Sequence, residues 1–180
     1  NVRSFEAVIQ AQQELAVINK VFQEISHQFD LESLLETVCE QLQRVVVTDV
    51  FFIGLYDPST GLVDYPYMYD SGQRYNRWVA RPRPGSKVEQ VLQTGEPVLI
   101  NRTPAEMGSI HLTSQNTIGN EEKISISLLY VPLRFGQQIR GVMSVQSYKY
   151  NAYNERDLAL LSSIANQVIV GIENIRLYQQ

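Results

Sequence analysis

The sequence predicts an α+β fold built round an antiparallel sheet, and three observations lead there. Apolar residues recur at helical spacing at both ends of the 180-residue chain, and strand-length apolar runs fill its middle. Turns between those runs are too short for the crossover that parallel strands require. A chain of this length is expected to fold as a single domain over residues 1–180. With 44% hydrophobic and 19% charged residues and no low-complexity tract, it can build a packed core.

Residues 1–29 form the first helical stretch. Val8, Ala11, Leu15, Ile18, Phe22, Ile25 and Phe29 follow one another at spacings of three and four, a heptad seam on a surface otherwise rich in Gln, Glu, Asn and Lys. Such a stripe suits a coiled coil between two chains, or the face a helix lays on its own core. A shared role is expected, with Val8, Leu15, Ile18 and Phe22 as dimer-seam residues. Asp30 then caps a second helix, flanked by Phe29 and Leu34 as a hydrophobic staple. Leu31, Leu34, Leu35, Val38, Leu42, Val45 and Val46 mark its buried stripe. Cys39 sits beside that stripe, where nothing would lower the pKa of a thiol, so a buried, inert side chain is expected.

The middle of the chain changes period. "VFFIGLYD" reads as a strand covered on both faces, and "DPSTG" turns it back into "LVDYPYMY". Strict alternation would put Tyr65, Tyr67 and Tyr69 on one face, as pocket-lining hydroxyls or as an ordinary half-buried strand face. Arg74, Arg77, Arg81 and Arg83 surround Trp78 in a stretch read as a solvated loop. A short helix follows in "GSKVEQVLQTGEP", with Ser86 and Glu89 as a capping box and Thr94-Gly95 as its stop. "PVLI" is a short strand. Residues 102–123 have no sustained period and are expected to form a lid or mobile segment. "ISISLLYVPLRF" and "QIRGVMSVQSYKY" pair through a hairpin at Gly136-Gln137.

The last element is a helix over residues 155–180, opened by "NAYNERDLALL". Asn154 is its cap, Asp157 bonds back to the cap, and Tyr153 with Leu158 forms the staple. Leu158, Leu161, Ala165, Val168, Ile172 and Ile175 make a second seam, of which Leu161, Ala165, Val168 and Ile172 are expected to join the dimer contact. A chain that begins and ends inside amphipathic helices reads as an excerpt of a longer protein.

Composition narrows the function classes. A net charge of −4 gives no general attraction for nucleic acid or anionic membranes. No apolar run longer than a strand is apparent, so no membrane contact is expected. A single cysteine forms no internal disulfide and fits a reducing, cytoplasmic setting. His27 and His111 are isolated, so no metal site is expected. No serine sits on a nucleophile elbow, and no catalytic residue is assigned. Ser125, Ser127, Ser144 and Gln146 interrupt otherwise apolar strands and, with the tyrosines and His111, are candidate ligand contacts, their face left open.

"GSKVEQVLQTGEPVLI", "SLLYVPLRFGQQIRGVMSVQS" and "YNERDLALLSSIANQVIVGIENIRLY", in that order, resemble the successive signatures of a GAF domain. These regulatory modules occur in cyclic-nucleotide phosphodiesterases, phytochromes, bacterial histidine kinases and diguanylate cyclases. The resemblance implies a PAS-like layout: an antiparallel sheet of five or six strands, a helical bundle on one face, and pocket loops and short helices on the other. It implies a non-catalytic sensory domain that binds a small molecule and relays a signal through dimeric helices to a covalently attached output domain, of histidine kinase or diguanylate cyclase type. The alternative is a ligand-free dimerisation and relay module. The ligand is left unknown. Bilin-binding members use a pocket cysteine, which this chain does not offer, and haem-binding members a pocket histidine, for which His111 is the one candidate, so neither group is expected. Catalytic members that reduce free methionine sulfoxide use several cysteines. The Asn-Lys, Phe and Asp-Glu motif of cyclic-nucleotide-binding members is partly kept, as Tyr148, Lys149, Tyr153, Asp157 and Leu158. Its surviving residues imply a structural lock of Lys149, Tyr153, Asn154 and Asp157, with a Lys149–Asp157 ion pair.

Overall fold

One antiparallel sheet separates two apolar layers. The computed structural model of the protein describes residues 2–25, 30–110 and 123–178. Helix α1 (Val2–Ile25) and α2 (Leu31–Val45) precede a hairpin of β1 (Val50–Asp57) and β2 (Leu62–Asp70). Two short strands follow, β3 (Gln73–Tyr75) and β4 (Trp78–Ala80), then α3 (Lys87–Thr94), β5 (Val98–Asn101) and α4 (Pro104–Ser109). The hairpin of β6 (Ser127–Phe135) and β7 (Gln138–Ser147) leads into α5 (Glu155–Tyr178). The strand order is β3-β2-β1-β7-β6-β5, with β4 also paired to β2. Among the described residues that makes seven strands instead of the expected five or six. The surplus comes from β3 and β4, three residues each, in the stretch read as a loop. Strands so short carry no readable alternation.

The first layer lies between the sheet and the long helices. Phe51, Ile53, Leu129, Val131, Leu133, Met143 and Val145 meet Leu34, Leu35, Val38 and Leu42 of α2, and Leu161, Ile164, Ala165, Val168 and Ile172 of α5. Here the structure corrects the expected C-terminal seam. Leu161, Ala165, Val168 and Ile172 are each fully buried in the protein's own core and present nothing to a second chain. The same period serves both purposes, and the sheet claims this stripe because β6 lies under it. Glu155–Leu177, with a mean hydropathy of 1.4, is long and apolar enough to cross a membrane, against the expectation that no such run existed. Its buried stripe is spent on this core instead.

Helix α1 divides its apolar residues. Val17 and Ile18 pack against the core, while Val2, Phe5, Val8 and Leu15 stay 54–72% exposed. The Phe22 side chain, Phe29 and His27 lie outside the described residues.

A β-bulge sets which tyrosines face where. Ile53 pairs with Tyr67 but Leu55 pairs with Asp64, so β2 carries an extra residue at Tyr65–Pro66. Proline has no N–H to give a ladder, and a bulge is where a strand accommodates it. The insertion reverses the alternation. Tyr65 therefore joins the second layer, with Val50, Phe52, Val63, Leu128, Tyr130, Val142 and the α3 residues Val88 and Val91. Tyr67 and Tyr69 turn to the helical side, against the expectation of one shared tyrosine face.

Candidate functional site

The second layer holds a buried polar network inside an apolar lining. Ser144 and Gln146 of β7 alternate with core-facing Met143 and Val145, so both reach this face, next to Tyr130 of β6. The Ser125 hydroxyl donates to Gln146 Oε1 at 2.7 Å, and Gln146 Nε2 donates to the Tyr130 hydroxyl and to Ser144 Oγ, both at 3.1 Å. Ser144 passes its own proton to the Leu129 carbonyl at 2.8 Å. Phe52 lies edge-on to both Tyr65 and Tyr130, and Tyr65 stacks on Trp78 at 4.5 Å. Burial pushes the Tyr65 and Tyr130 phenols each up to about 12; Arg83 opposes this at both, and Arg102 at Tyr130.

A second cluster ties the segment between β5 and β6 to the start of α5. Arg102, just past β5, donates to the Ser125 carbonyl at 2.6 Å and so clamps the two feet of that segment together. Asn101 donates through Nδ2 to the Tyr153 carbonyl at 2.8 Å. The Ser127 hydroxyl donates to the Lys149 carbonyl at 2.8 Å and accepts from the Ala152 N–H at 3.2 Å. Tyr153 donates to the Val47 carbonyl at 2.6 Å, which anchors the junction to the end of α2. Asn154 and Asp157 form a reciprocal cap: Asn154 Oδ1 accepts from Asp157 N at 3.0 Å and Asp157 Oδ2 accepts from Asn154 N at 2.9 Å.

The candidate contacts thus separate. Tyr65, Ser125, Ser144 and Gln146 come together, with Tyr130 as a partner that sequence reasoning passed over because it reads as one more apolar position in "SLLYVPLRF". Ser127 belongs to the junction and not to the buried network. Tyr67 lies tilted against Phe51 at 5.7 Å between ring centres, sits under the Arg74 guanidinium at 3.9 Å, and hydrogen-bonds Cys39. His111 and residues 112–122 of the expected lid lie outside the described residues. The described part of that stretch includes α4, whose Thr103–Glu106 capping box and N-terminal Pro104 were legible but unread. The expected Lys149–Asp157 ion pair is absent. Asp157 is taken up by the Asn154 cap, and Lys149 is exposed.

Two of the arginines about Trp78 are spent internally. Arg74 pairs with Glu32 and donates to the Pro66 carbonyl, and Arg77 pairs with Asp64. Burial raises the Cys39 thiol to about 12. An Ellman's reagent assay at pH 8 is expected to find it unreactive in the native protein and stoichiometrically reactive in denaturant; fast native labelling would contradict the burial. Among the described residues, no group of three or more His, Cys, Asp or Glu is placed to hold a metal.

The two-layered sheet defines an α+β module with one helical face and one face covered by short elements. A sequence model of the GAF domain family matches residues 29–173, and the chain belongs to that family. Comparison with curated proteins by sequence yields no match. Among solved structures it is similar to the GAF domain of the Acinetobacter phosphoenolpyruvate-protein phosphotransferase. That likeness has 19% identity and a TM-score of 0.71, covering 93% of this chain and 97% of the other. It is also similar to free methionine-R-sulfoxide reductase from Neisseria meningitidis, crystallised with its substrate, at 17% identity and a TM-score of 0.70 over 94% and 93% of the two chains. The GAF domain of a two-component sensor histidine kinase from Bacillus halodurans matches at 18% identity and a TM-score of 0.60, over 85% and 100%.

Proposed function

We propose that this chain is a non-catalytic sensory domain of a cytoplasmic signalling protein. A small molecule bound on the Tyr130–Gln146 face biases the segment between β5 and β6, and α5 carries the change to an attached output domain of histidine kinase or diguanylate cyclase type. The observation that carries this reading is the double tie at the junction. Both ends of that segment, Asn101 and Ser127, hydrogen-bond to the residues that lead into α5. A displacement at either foot is therefore felt at the Tyr153–Asn154 cap within a few bonds. The exposed apolar residues of α1, Val8 and Leu15 among them, supply the pairing surface for a second copy.

A reductase reading draws on the Neisseria neighbour, but the chain's one cysteine is buried and its thiol is held protonated. A ligand-free relay is the second reading, and it has its own support: Gln146 is already saturated by the protein's side chains.

The test is a thermal-shift panel of nucleotides, amino acids, carboxylates and haem, followed by hydrogen exchange with any compound that binds. At least one compound is expected to raise Tm and to change exchange at residues 152–158. The Asn101→Ala, Ser127→Ala double variant is expected to keep the Tm shift and lose the exchange change. A panel with no shift leaves the ligand-free relay as the better reading.

A further inference from the structure

The protons of the second layer can be counted, because Gln146 has only one orientation that its neighbours accept. Ser144 spends its single proton on the Leu129 carbonyl, so toward Gln146 it must accept, which places Nε2 there. The second Nε2 proton goes to the Tyr130 oxygen, and Oε1 accepts from Ser125. Every acceptor of the network is then facing a donor. What is left over is a proton, the one on the Tyr130 hydroxyl, for which the described residues supply no acceptor. Tyr65 stands likewise: among the described residues its hydroxyl has no hydrogen-bond partner. With both phenols pushed up to about 12, each is a donor at neutral pH and not a base.

Arg102 adds a donor that also carries charge. It is half-buried, its Nη1 donates to the Ser125 carbonyl, and no carboxylate among the described residues pairs with it. Its charge, like that of Arg83, acts on the Tyr130 phenol. Asp49 and Asp70, at the edge of the same layer, are taken up by Ser147 and Tyr148 and by Ser71 and Tyr148. A partly desolvated guanidinium without a counter-charge is costly, and its forked donors match a carboxylate.

We propose that this face binds a small organic carboxylate, whose oxygens accept from Arg102 and from the Tyr130 and Tyr65 hydroxyls and whose remaining body is apolar. The proposal rests on the sensory reading above and names its ligand class. A cationic ligand meets like charge and donors here, and a neutral one leaves the Arg102 charge unmatched, whereas the apolar lining of Phe52, Val91, Leu128 and Val142 favours a hydrocarbon body over a second charge.

Matched probes test it on the 180-residue chain. Phenylacetate and butyrate are compared by thermal shift with phenylacetamide and butyramide, all at one ionic strength set by sodium chloride. The carboxylates are expected to raise Tm and the amides to leave it unchanged. By calorimetry, Arg102→Gln is expected to weaken carboxylate binding by about tenfold or more, with Arg102→Lys intermediate, and Tyr130→Phe by a few-fold. Tyr148→Phe, whose hydroxyl serves Asp70, is expected to bind as the parent does. Amides that bind as well as carboxylates, or an Arg102→Gln variant that keeps its carboxylate affinity, overturn the proposal and leave the sensory reading standing. So does a panel in which only nucleotides, amino acids or haem bind. If nothing at all binds, both fall together.

Discussion

Gly141→Ala is expected to lower Tm by roughly 10 °C or more and to cost about 4 kcal/mol or more of stability. A Cβ built on Gly141 would stand 2.1 Å from the Gly54 carbonyl oxygen and 3.2 Å from Leu133 Cδ1. The first of these is a backbone atom, so no rotamer change relieves it. Gly141 lies opposite Leu55 in the β1–β7 pairing and opposite Leu133 in the β6–β7 pairing. Spreading either pair to admit a methyl group would break ladder hydrogen bonds in the centre of the sheet. Gly54 is confined from its other side, where a Cβ would meet Val63 Cγ1 at 2.8 Å. The loss is a large share of the about 5–15 kcal/mol that ordinarily separates folded from unfolded domains. Gly72→Ala serves as the comparison: its φ is +87° but no atom lies within 4 Å of a Cβ there, so about 1 kcal/mol of backbone strain is expected. Thermal melts followed by circular dichroism distinguish the two. A Gly141→Ala protein melting within a few degrees of the parent would show that the central strands can part without loss.

What was legible in the sequence is what short-range physics decides. Asp30, Ser86, Gly95 and Asn154 sit at helix ends where a side-chain oxygen or a left-handed glycine satisfies backbone groups within a few residues, and each caps its helix, although at Ser86 only half of the expected box forms, since the Glu89 carboxylate accepts from the Gly85 N–H. Cys39 was placed correctly because helical period alone put it among leucines. The misreadings involve longer-range partners. Nothing local says that Pro66 will be absorbed as an extra residue against β1, yet that one insertion sends Tyr65 to one layer and Tyr67 to the other. Ser127 and Ser144 look alike as polar breaks in apolar strands, but odd and even positions in the β6–β7 register send one to the junction and the other to the network. Tyr130 could have been found by continuing that alternation from Leu128. The Asp157 side chain had two candidate partners, and the neighbouring cap took it before Lys149 could.

The heptad seams are the other place where pattern alone was ambiguous, and one pair of substitutions separates their two meanings. Val168→Lys is expected to abolish cooperative folding. Val168 of α5 is wholly buried against the sheet, and a lysine there must desolvate an ammonium among the apolar residues of its layer, at a cost of about 4–5 kcal/mol or more. Leu15→Lys is expected to leave the monomer's stability within about 0.5 kcal/mol, because Leu15 is 57% exposed and touches no core. Its effect belongs to association. If α1 pairs with a second copy through Val8 and Leu15, facing lysines put like charges into an apolar seam, and the dimer dissociates while the fold persists. Analytical ultracentrifugation beside circular dichroism reads both properties at once. Folded monomers of Leu15→Lys beside a dimeric parent would place the interface on α1. A Leu15→Lys protein that remains dimeric moves the contact off this face, and a Val168→Lys protein that folds and dissociates would mean that α5 is not held by its own sheet. Since α1 also packs on α5, with Glu14 paired to Arg156 in its first turn, a partner docked on α1's exposed side would press on the same helix that the junction at Tyr153 holds.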